Sequence, residues 1–279
     1  MYMALSPGAL GIGNIALPEA IQLAKNTGYA GLEFNVHEAA DILEKHGAES
    51  LRLLFSQHNI IPSAFGLPSD WRSSEETWKK DIDDLPRLAN AARELGCKRT
   101  MTWILPASDT KSLDVNRRFH VERFTPIAHI LLEYGISLGL EFIGPQTMRD
   151  GHKYEFIWRM EDMLAMGREI GPNVGLLLDC WHWHTSGATI ADLEKLKPTD
   201  VVYVHVSDAP EGVAMDAYQD GRRCLPGATG VIDLPGFLSA LDKIGYDGPV
   251  TPEPFGNPAV WAGDGLRMGF LKAGVISKG

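Results

Sequence analysis

Cysteine is scarce in this chain: Cys97, Cys180 and Cys224 are the only three, and they lie far apart. They form no CxxC pair and no zinc-knuckle spacing, which argues against a thiolate metal site and leaves buried, inert thiols in a reducing compartment. Long apolar runs are missing too. No stretch reaches the roughly 18 apolar residues that a membrane span needs, so a membrane is not an expected partner. The opening MYMALSPGALGIG has neither the basic segment nor the apolar run of a signal peptide, and the expectation is a cytoplasmic protein without a targeting segment. Basic runs are also absent. Lys and Arg number 26 against 36 Asp and Glu, a net charge of −10 with a sequence pI of about 5.4. Such a surface repels phosphate polyanions, so nucleic acid is not an expected partner either.

What is present is an ordinary globular composition, with 44% hydrophobic and 22% charged residues among 279. That length suffices for one large barrel or two smaller domains. A repeating pattern decides between them. Short apolar runs alternate with amphipathic stretches. The runs are MYMALS (1–6), YAGLEFNV (29–36), IIPSAFGL (60–67), CKRTMTWIL (97–105), ISLGLEFIG (136–144), VGLLLDCW (174–181), VVYVHVSD (201–208) and GPVTPEPF (248–255). Helical segments such as DLPRLANAARELG and LPGFLSALDKIG separate them. Gly96, Gly135, Gly171 and Gly245 stand where a left-handed glycine would end a helix. Thr189 with Asp192 reads as a capping box, and Asp233 as an N-cap.

Strand–helix alternation along a whole chain implies parallel strands with helical crossovers. Eight such units in under 300 residues match the size of a (β/α)8 TIM barrel, and the expectation is one such α/β domain over residues 1–279. A doubly wound open sheet is the alternative. It would carry a glycine-rich phosphate loop after its first strand, and PGALGIG lacks the Lys-Ser/Thr of that loop.

Four candidate ligands end four successive runs: Glu141, Asp179, His205 and Glu253. Active sites in these barrels gather at the C-terminal strand ends. Side-chain alternation supports a shared orientation. If Glu141 faces inward, Leu138 and Leu140 face the helices; Asp179 does the same to Leu176 and Leu178, and His205 to Val202 and Val204. Three carboxylates and an imidazole at one place repel one another unless a cation lies between them. An oxygen-rich set with one nitrogen suits Mn²⁺, Mg²⁺ or Co²⁺ better than a thiolate-type zinc site, with Zn²⁺ still open. The competing reading makes each residue an ordinary strand-end polar group paired with a loop.

The series LEF, LLDCWHWH, YVHVSD, RRCLPGATGVIDLPGFLSALDKIGYDGPV and TPEPF resembles the sugar isomerase/epimerase superfamily with the xylose-isomerase-like barrel. D-Tagatose 3-epimerase, hydroxypyruvate isomerase, inosose dehydratase and endonuclease IV belong to that superfamily. The likeness is densest from about residue 136 to 255. It implies one divalent metal held by Glu141, Asp179, His205 and Glu253, with Glu141 and Glu253 also moving the proton. It implies that His182 binds a substrate oxygen, together with Arg223, or with Arg222 next to it. It further implies a homodimer or higher homo-oligomer. The segment Glu141-Phe-Ile-Gly-Pro-Gln-Thr-Met-Arg lacks the second glutamate of tagatose-type epimerases, which argues against a free ketohexose as substrate. Pro249, Pro252 and Pro254 cannot donate ladder hydrogen bonds, so an irregular backbone is expected near Glu253.

Other residues carry two readings each. Glu33 and Asn35 end the second run and either touch substrate or orient neighbouring strand ends. Trp103, Trp181 and Trp183 form an apolar wall against a sugar ring, or belong to the core. His184 serves the site or only its own loop, and Asp208 supports His205 or caps the following loop. The loop residues His152 and Lys153 read as solvated.

Three functions compete. The first is a metal-dependent isomerase or epimerase of a sugar or polyol-derived keto acid, working through an enediolate with two glutamates as acid and base. The second is a dehydratase or lyase on a keto-sugar or inosose, which shares the first proton transfer. The third is a non-catalytic carbohydrate-binding subunit, which the loss of a ligand would favour, and none is lost.

Overall fold

The computed structural model describes residues 1–255 and 259–275. Eight strands lie within the eight apolar runs: β1 (Tyr2–Leu5), β2 (Gly31–Glu33), β3 (Ile61–Gly66), β4 (Arg99–Trp103), β5 (Ser137–Glu141), β6 (Val174–Asp179), β7 (Val201–Val206) and β8 (Pro249–Pro252). They close into a barrel in which every neighbour is parallel and β8 pairs with β1. Outer helices include α1 (Leu17–Asn26), α2 (Val36–Ser56), α3 (Glu75–Glu94), α4 (Leu113–Glu133) and α5 (Met160–Ile170). The short α6 (Cys180–Thr185) and α7 (Ile190–Leu193) follow β6, α8 (Leu234–Lys243) precedes β8, and α9 (Ala259–Ala273) comes last. The protein is a single (β/α)8 TIM barrel. A small antiparallel ribbon, Ala107–Ser108 with Tyr154–Glu155, joins two loops on the β4 and β5 side.

The alternation of side chains is as the strand period requires. Ala64, Met101, Leu177 and Tyr203 form a separate buried cluster inside the barrel. Leu138, Leu140, Leu176, Leu178 and Val204 point the other way and join the large core shared with the helices. Leu177 and Tyr203 are two residues before Asp179 and His205, so both candidate ligands stand one step above this interior layer. Tyr203 also bonds through its hydroxyl to Thr251 Oγ1 at 2.6 Å, which ties β7 to β8 directly beneath His205 and Glu253.

The expected helix signals hold with one exception. Gly96, Gly135 and Gly245 are left-handed at φ 73°, 71° and 83°. Gly171 is extended instead, at φ 177°, because α5 leads straight into the Pro172-Asn173 turn, and Asn173 ties that turn to Ala128 and Ile136. The Thr189–Asp192 capping box is present, and Asp233 caps α8 by accepting from Gly236 N at 3.0 Å. Near Glu253 the irregularity begins later than the prolines suggest. Glu253 N still donates to Val206 O at 2.8 Å, and the chain turns left-handed only at Phe255, φ 47°.

Candidate metal centre

Four adjacent strands bring the four candidate ligands together. Glu141 ends β5, Asp179 ends β6, His205 lies in β7, and Glu253 directly follows β8. One ligand atom from each lies within 4.8 Å of the others. Asp179 is completely buried, and its Oδ1 accepts from Trp181 N at 2.9 Å, capping α6. That bond fixes the carboxylate plane and leaves Oδ2 for the centre.

The centre fits a cation. Glu141 Oε1 and both ring nitrogens of His205 are buried and make no well-directed hydrogen bond, although His205 Nδ1 lies 3.2 Å from Glu253 Oε2 and 3.6 Å from Glu141 Oε1. Polar atoms left this way in a folded interior are costly unless something else satisfies them. Three carboxylates and one imidazole are the donor set of a divalent ion that prefers oxygen. The protein supplies only part of the missing charge. Arg223 Nη1 bonds to Asp179 Oδ2 at 2.6 Å and to Glu253 Oε2 at 2.7 Å, while its Nη2 bonds to Asp220 Oδ1 at 2.9 Å.

Electrostatics separates the two glutamates. Burial pushes Glu141 up to about 8. Burial acts on Glu253 as well, but the charges of His205 and Arg223 outweigh it and hold that carboxyl down to about 2. His205 is raised well above its ordinary value, because Glu253 and Glu141 overcome the burial that opposes its charge. Burial lowers His182 and raises Glu33.

The loop after β7 delivers Arg223. Buried Asp208 accepts from the backbone N–H groups of Ala209, Thr229, Gly230 and Ile232, at 2.7–3.0 Å. Asp208 and Cys224 also exchange both backbone hydrogen bonds, at 3.0 and 2.8 Å. Asp208 therefore caps its loop, and the LPGATGVID block is the chain wrapped around that carboxylate. Arg223 comes next to the bridge and turns inward; Arg222 is exposed.

A cavity of about 300 Å³ opens above the centre and is lined by Glu141, His205 and Glu253 together with Ser6, Glu33, Gly66 and Trp103, among others. Glu33 and Trp103 thus both face the place where a small molecule would sit. Asn35 does not; it caps α2, accepting from His37 and Glu38. Trp181 and Trp183 are core residues, packed edge-on to Tyr218 and tilted on Phe237. His184 stands half-buried against Tyr218, and exposed His152 pairs with Asp109. Three larger hollows, about 670, 550 and 460 Å³, lie away from the four candidate ligands. Two residues of the neighbourhood escaped the sequence reading. Asp220 holds Arg223 from three residues upstream, and Arg149 is buried under the β5 loop.

The family model described as "Xylose isomerase-like TIM barrel" matches residues 21–273. The chain belongs to that family. Within it, the chain is 28% identical over 247 residues to "Inosose isomerase" of Halalkalibacterium halodurans, covering 87% of this chain and 84% of that protein. It is 33% identical over 264 residues to "3-dehydroshikimate dehydratase" of Pseudomonas aeruginosa, covering 93% of this chain and 38% of that much longer protein. The solved structure of the IOLI protein with a bound zinc atom shares the fold at a TM-score of 0.75 and 23% identity, over 98% of each chain. Relatives of this xylose isomerase-like barrel are isomerases and dehydratases, and the protein is an enzyme.

Proposed function

We propose that the protein is a divalent-metal-dependent isomerase or epimerase of a polyol-derived carbonyl compound such as an inosose. The carrying observation is the convergence of Glu141, Asp179, His205 and Glu253, with buried atoms left unsatisfied, beneath a cavity of about 300 Å³. These four side chains would hold the ion. A bound divalent ion supplies Lewis acidity, which lowers the cost of negative charge on a substrate carbonyl oxygen. The oxygen-rich donor set favours Mn²⁺, with Mg²⁺, Co²⁺ and the zinc of the structural relative as alternatives.

The remaining chemistry belongs to the chain. Glu141 and Glu253 come from β5 and β8, which two other strands separate in the barrel. A substrate lying between them meets one carboxylate on each side of its reacting carbon. One glutamate takes the proton next to the carbonyl and the other returns one, the arrangement that two-base transfer needs. Glu33 and Trp103, which line the cavity, would bind a hydroxyl and form the apolar wall, while His182 and Arg223, buried beside the four side chains and outside the cavity lining, would reach substrate oxygens as the family resemblance implies.

The 33% identical relative named as a dehydratase favours a second reading. Proton removal would be the same, followed by loss of a β-hydroxyl as water. Incubating the Mn²⁺-loaded protein with an inosose separates the two. An isomerised ketone seen by ¹³C NMR supports the first reading; a conjugated enone absorbing in the ultraviolet supports the second; an unchanged inosose and unchanged small ketoses contradict both.

The same proposal places the enzyme in the cytoplasm as a homodimer or larger. All three cysteines are free, in keeping with a reducing compartment, and no helix among the described residues is long and apolar enough to cross a membrane. Light scattering at micromolar concentration tests the assembly, and a monomer would contradict it.

A further inference from the structure

Trp103 lines the cavity beside Glu141. It ends β4 and is paired in register with Glu141 of β5, so the two side chains leave the sheet on the same side. The indole is 45% exposed, and its ring is held by one neighbour. That neighbour is Arg72, on the loop between β3 and α3. Its guanidinium carbon lies 3.9 Å from the centre of the Trp103 ring, and its Nη2 donates to the Trp103 carbonyl oxygen. Among the described residues no other cation or aromatic ring stacks on Trp103.

Arg72 is itself anchored. Its guanidinium carbon also lies 4.0 Å from the centre of the Trp71 ring. Trp71 is buried, with the rings of Phe124 and His120 at 4.8 and 5.1 Å between centres, and its Nε1 donates to Thr102 Oγ1 at 3.4 Å. The loop is tied down at two further points. Leu67 N donates to Met101 O at 2.8 Å, and Asp70 N donates to Asp81 Oδ2 of α3 at 2.6 Å. A fixed indole, a guanidinium and a half-exposed indole thus form a row that ends at the cavity. A cation over an aromatic face is attracted by the ring quadrupole, and a carbonyl oxygen accepts strongly from a charged donor.

We infer that Arg72 is a positioning residue: by stacking on Trp103 and holding its carbonyl, it fixes the indole as one wall of the substrate cavity, beside Glu141. A half-exposed indole without such a neighbour samples several rotamers. A substrate that packs on it must then order the ring, and that cost is subtracted from binding. With Arg72 in place the wall is formed before the substrate arrives. The effect therefore falls on substrate binding and leaves the proton transfer alone. The inference rests on the proposed role of Trp103 as the apolar wall, but the ordering of the ring can be read without turnover.

The test is ¹⁹F NMR of the full chain labelled with fluorotryptophan in the presence of Zn²⁺, with the Trp103 line assigned by its loss in Trp103→Phe. Solvent access to the ring is read from the shift between H₂O and D₂O, and kinetics on an inosose are measured alongside. Wild type should give one Trp103 line, which the inosose displaces. Arg72→Met should give a Trp103 line with a larger solvent shift and a KM raised about tenfold, with kcat within about twofold and metal content unchanged. Arg72→Lys, which keeps a cation over the rings, should recover part of both. Arg72→Gln takes the place of Arg72→Met should that variant fail to fold. A Trp103 line unchanged in Arg72→Met would overturn the inference, as would a fall in kcat at unchanged KM. A displaced line at unchanged KM would uphold the clamp and overturn Trp103 as the substrate wall. An inosose that wild type neither binds nor converts would contradict the proposed function, and the fluorine line would still decide the clamp.

Discussion

Arg223 and Glu253 share a buried ion pair, Nη1 to Oε2 at 2.7 Å, and the same Nη1 reaches Asp179 Oδ2 at 2.6 Å. One guanidinium thus braces two of the four side chains of the centre from outside the ligand set. Replacing it strands two buried carboxylates. Arg223→Met should destabilise the metal-free protein by about 3 kcal/mol, the usual cost of breaking a buried pair from one side. Added Mn²⁺ should recover part of the loss, since the ion supplies the missing charge. Thermal denaturation with EDTA and with Mn²⁺ measures both, and an unchanged melting temperature in EDTA would contradict the role.

The glutamates and the histidine should fail differently. Glu141→Gln and Glu253→Gln should each lower turnover by about 10²-fold or more, the worth of a positioned acid or base, and should lower metal content. His182→Ala should raise KM and keep its metal, because its ring lies beside the four proposed ligands and is not one of them. Metal analysis paired with kinetics checks this. Loss of metal in His182→Ala with full activity in Glu253→Gln would reverse the assignment.

EDTA should abolish activity, and Mn²⁺ or Co²⁺ should restore it at least as well as Mg²⁺. Metal uptake should also depend on pH. Burial pushes Glu141 up to about 8 in the metal-free protein, so below that pH its carboxyl holds a proton that must leave when an ion enters. Affinity should therefore fall as the pH drops below about 8, roughly tenfold per pH unit for each proton displaced. Calorimetric titration between pH 6 and 9 (on the order of the relevant range) reads both the slope and the protons released. A pH-independent affinity would contradict the burial of Glu141.

His120 gives a prediction about stability. It is stacked among Trp71, Phe124 and Phe156, and burial lowers it from 6.5 to about 4. As the pH falls through 6.5 the unfolded chain takes up a proton that the folded chain refuses until about 4. The unfolded state binds more protons across that window, so stability declines with falling pH, by about 3 kcal/mol in total from this group. His120→Leu should flatten that decline in urea denaturation measured at several pH values; an identical slope in the variant would contradict it.

The centre was legible because strand alternation is strict. Glu141, Asp179 and His205 each follow an apolar residue that faces the helices, and the barrel sets them one step above Leu177 and Tyr203. Glu33 and Trp103 were legible as strand-end residues, and both line the cavity. Loop geometry carries no such period. Arg149 holds the backbone carbonyls of Gly144 and Pro145, Asp220 holds Arg223, and nothing in their spacing announces those contacts. Asp208 was placed between two roles because its loop partners, Thr229 to Ile232, are more than twenty residues away in sequence. Trp181 could not be assigned to core or cavity, since α6 begins directly after Asp179 and the helix, not the strand, sets its direction.

The central claim is two-base proton transfer at this centre, and deuterium uptake tests it most directly. Mn²⁺-loaded wild type, Glu141→Gln and Glu253→Gln are incubated with an inosose in D₂O, and the products are examined by NMR after the metal is removed. The account predicts deuterium on the carbon next to the carbonyl with wild type, and strongly reduced uptake with each variant. Product formed by wild type with no deuterium at that carbon, or uptake undiminished in both variants, would contradict it.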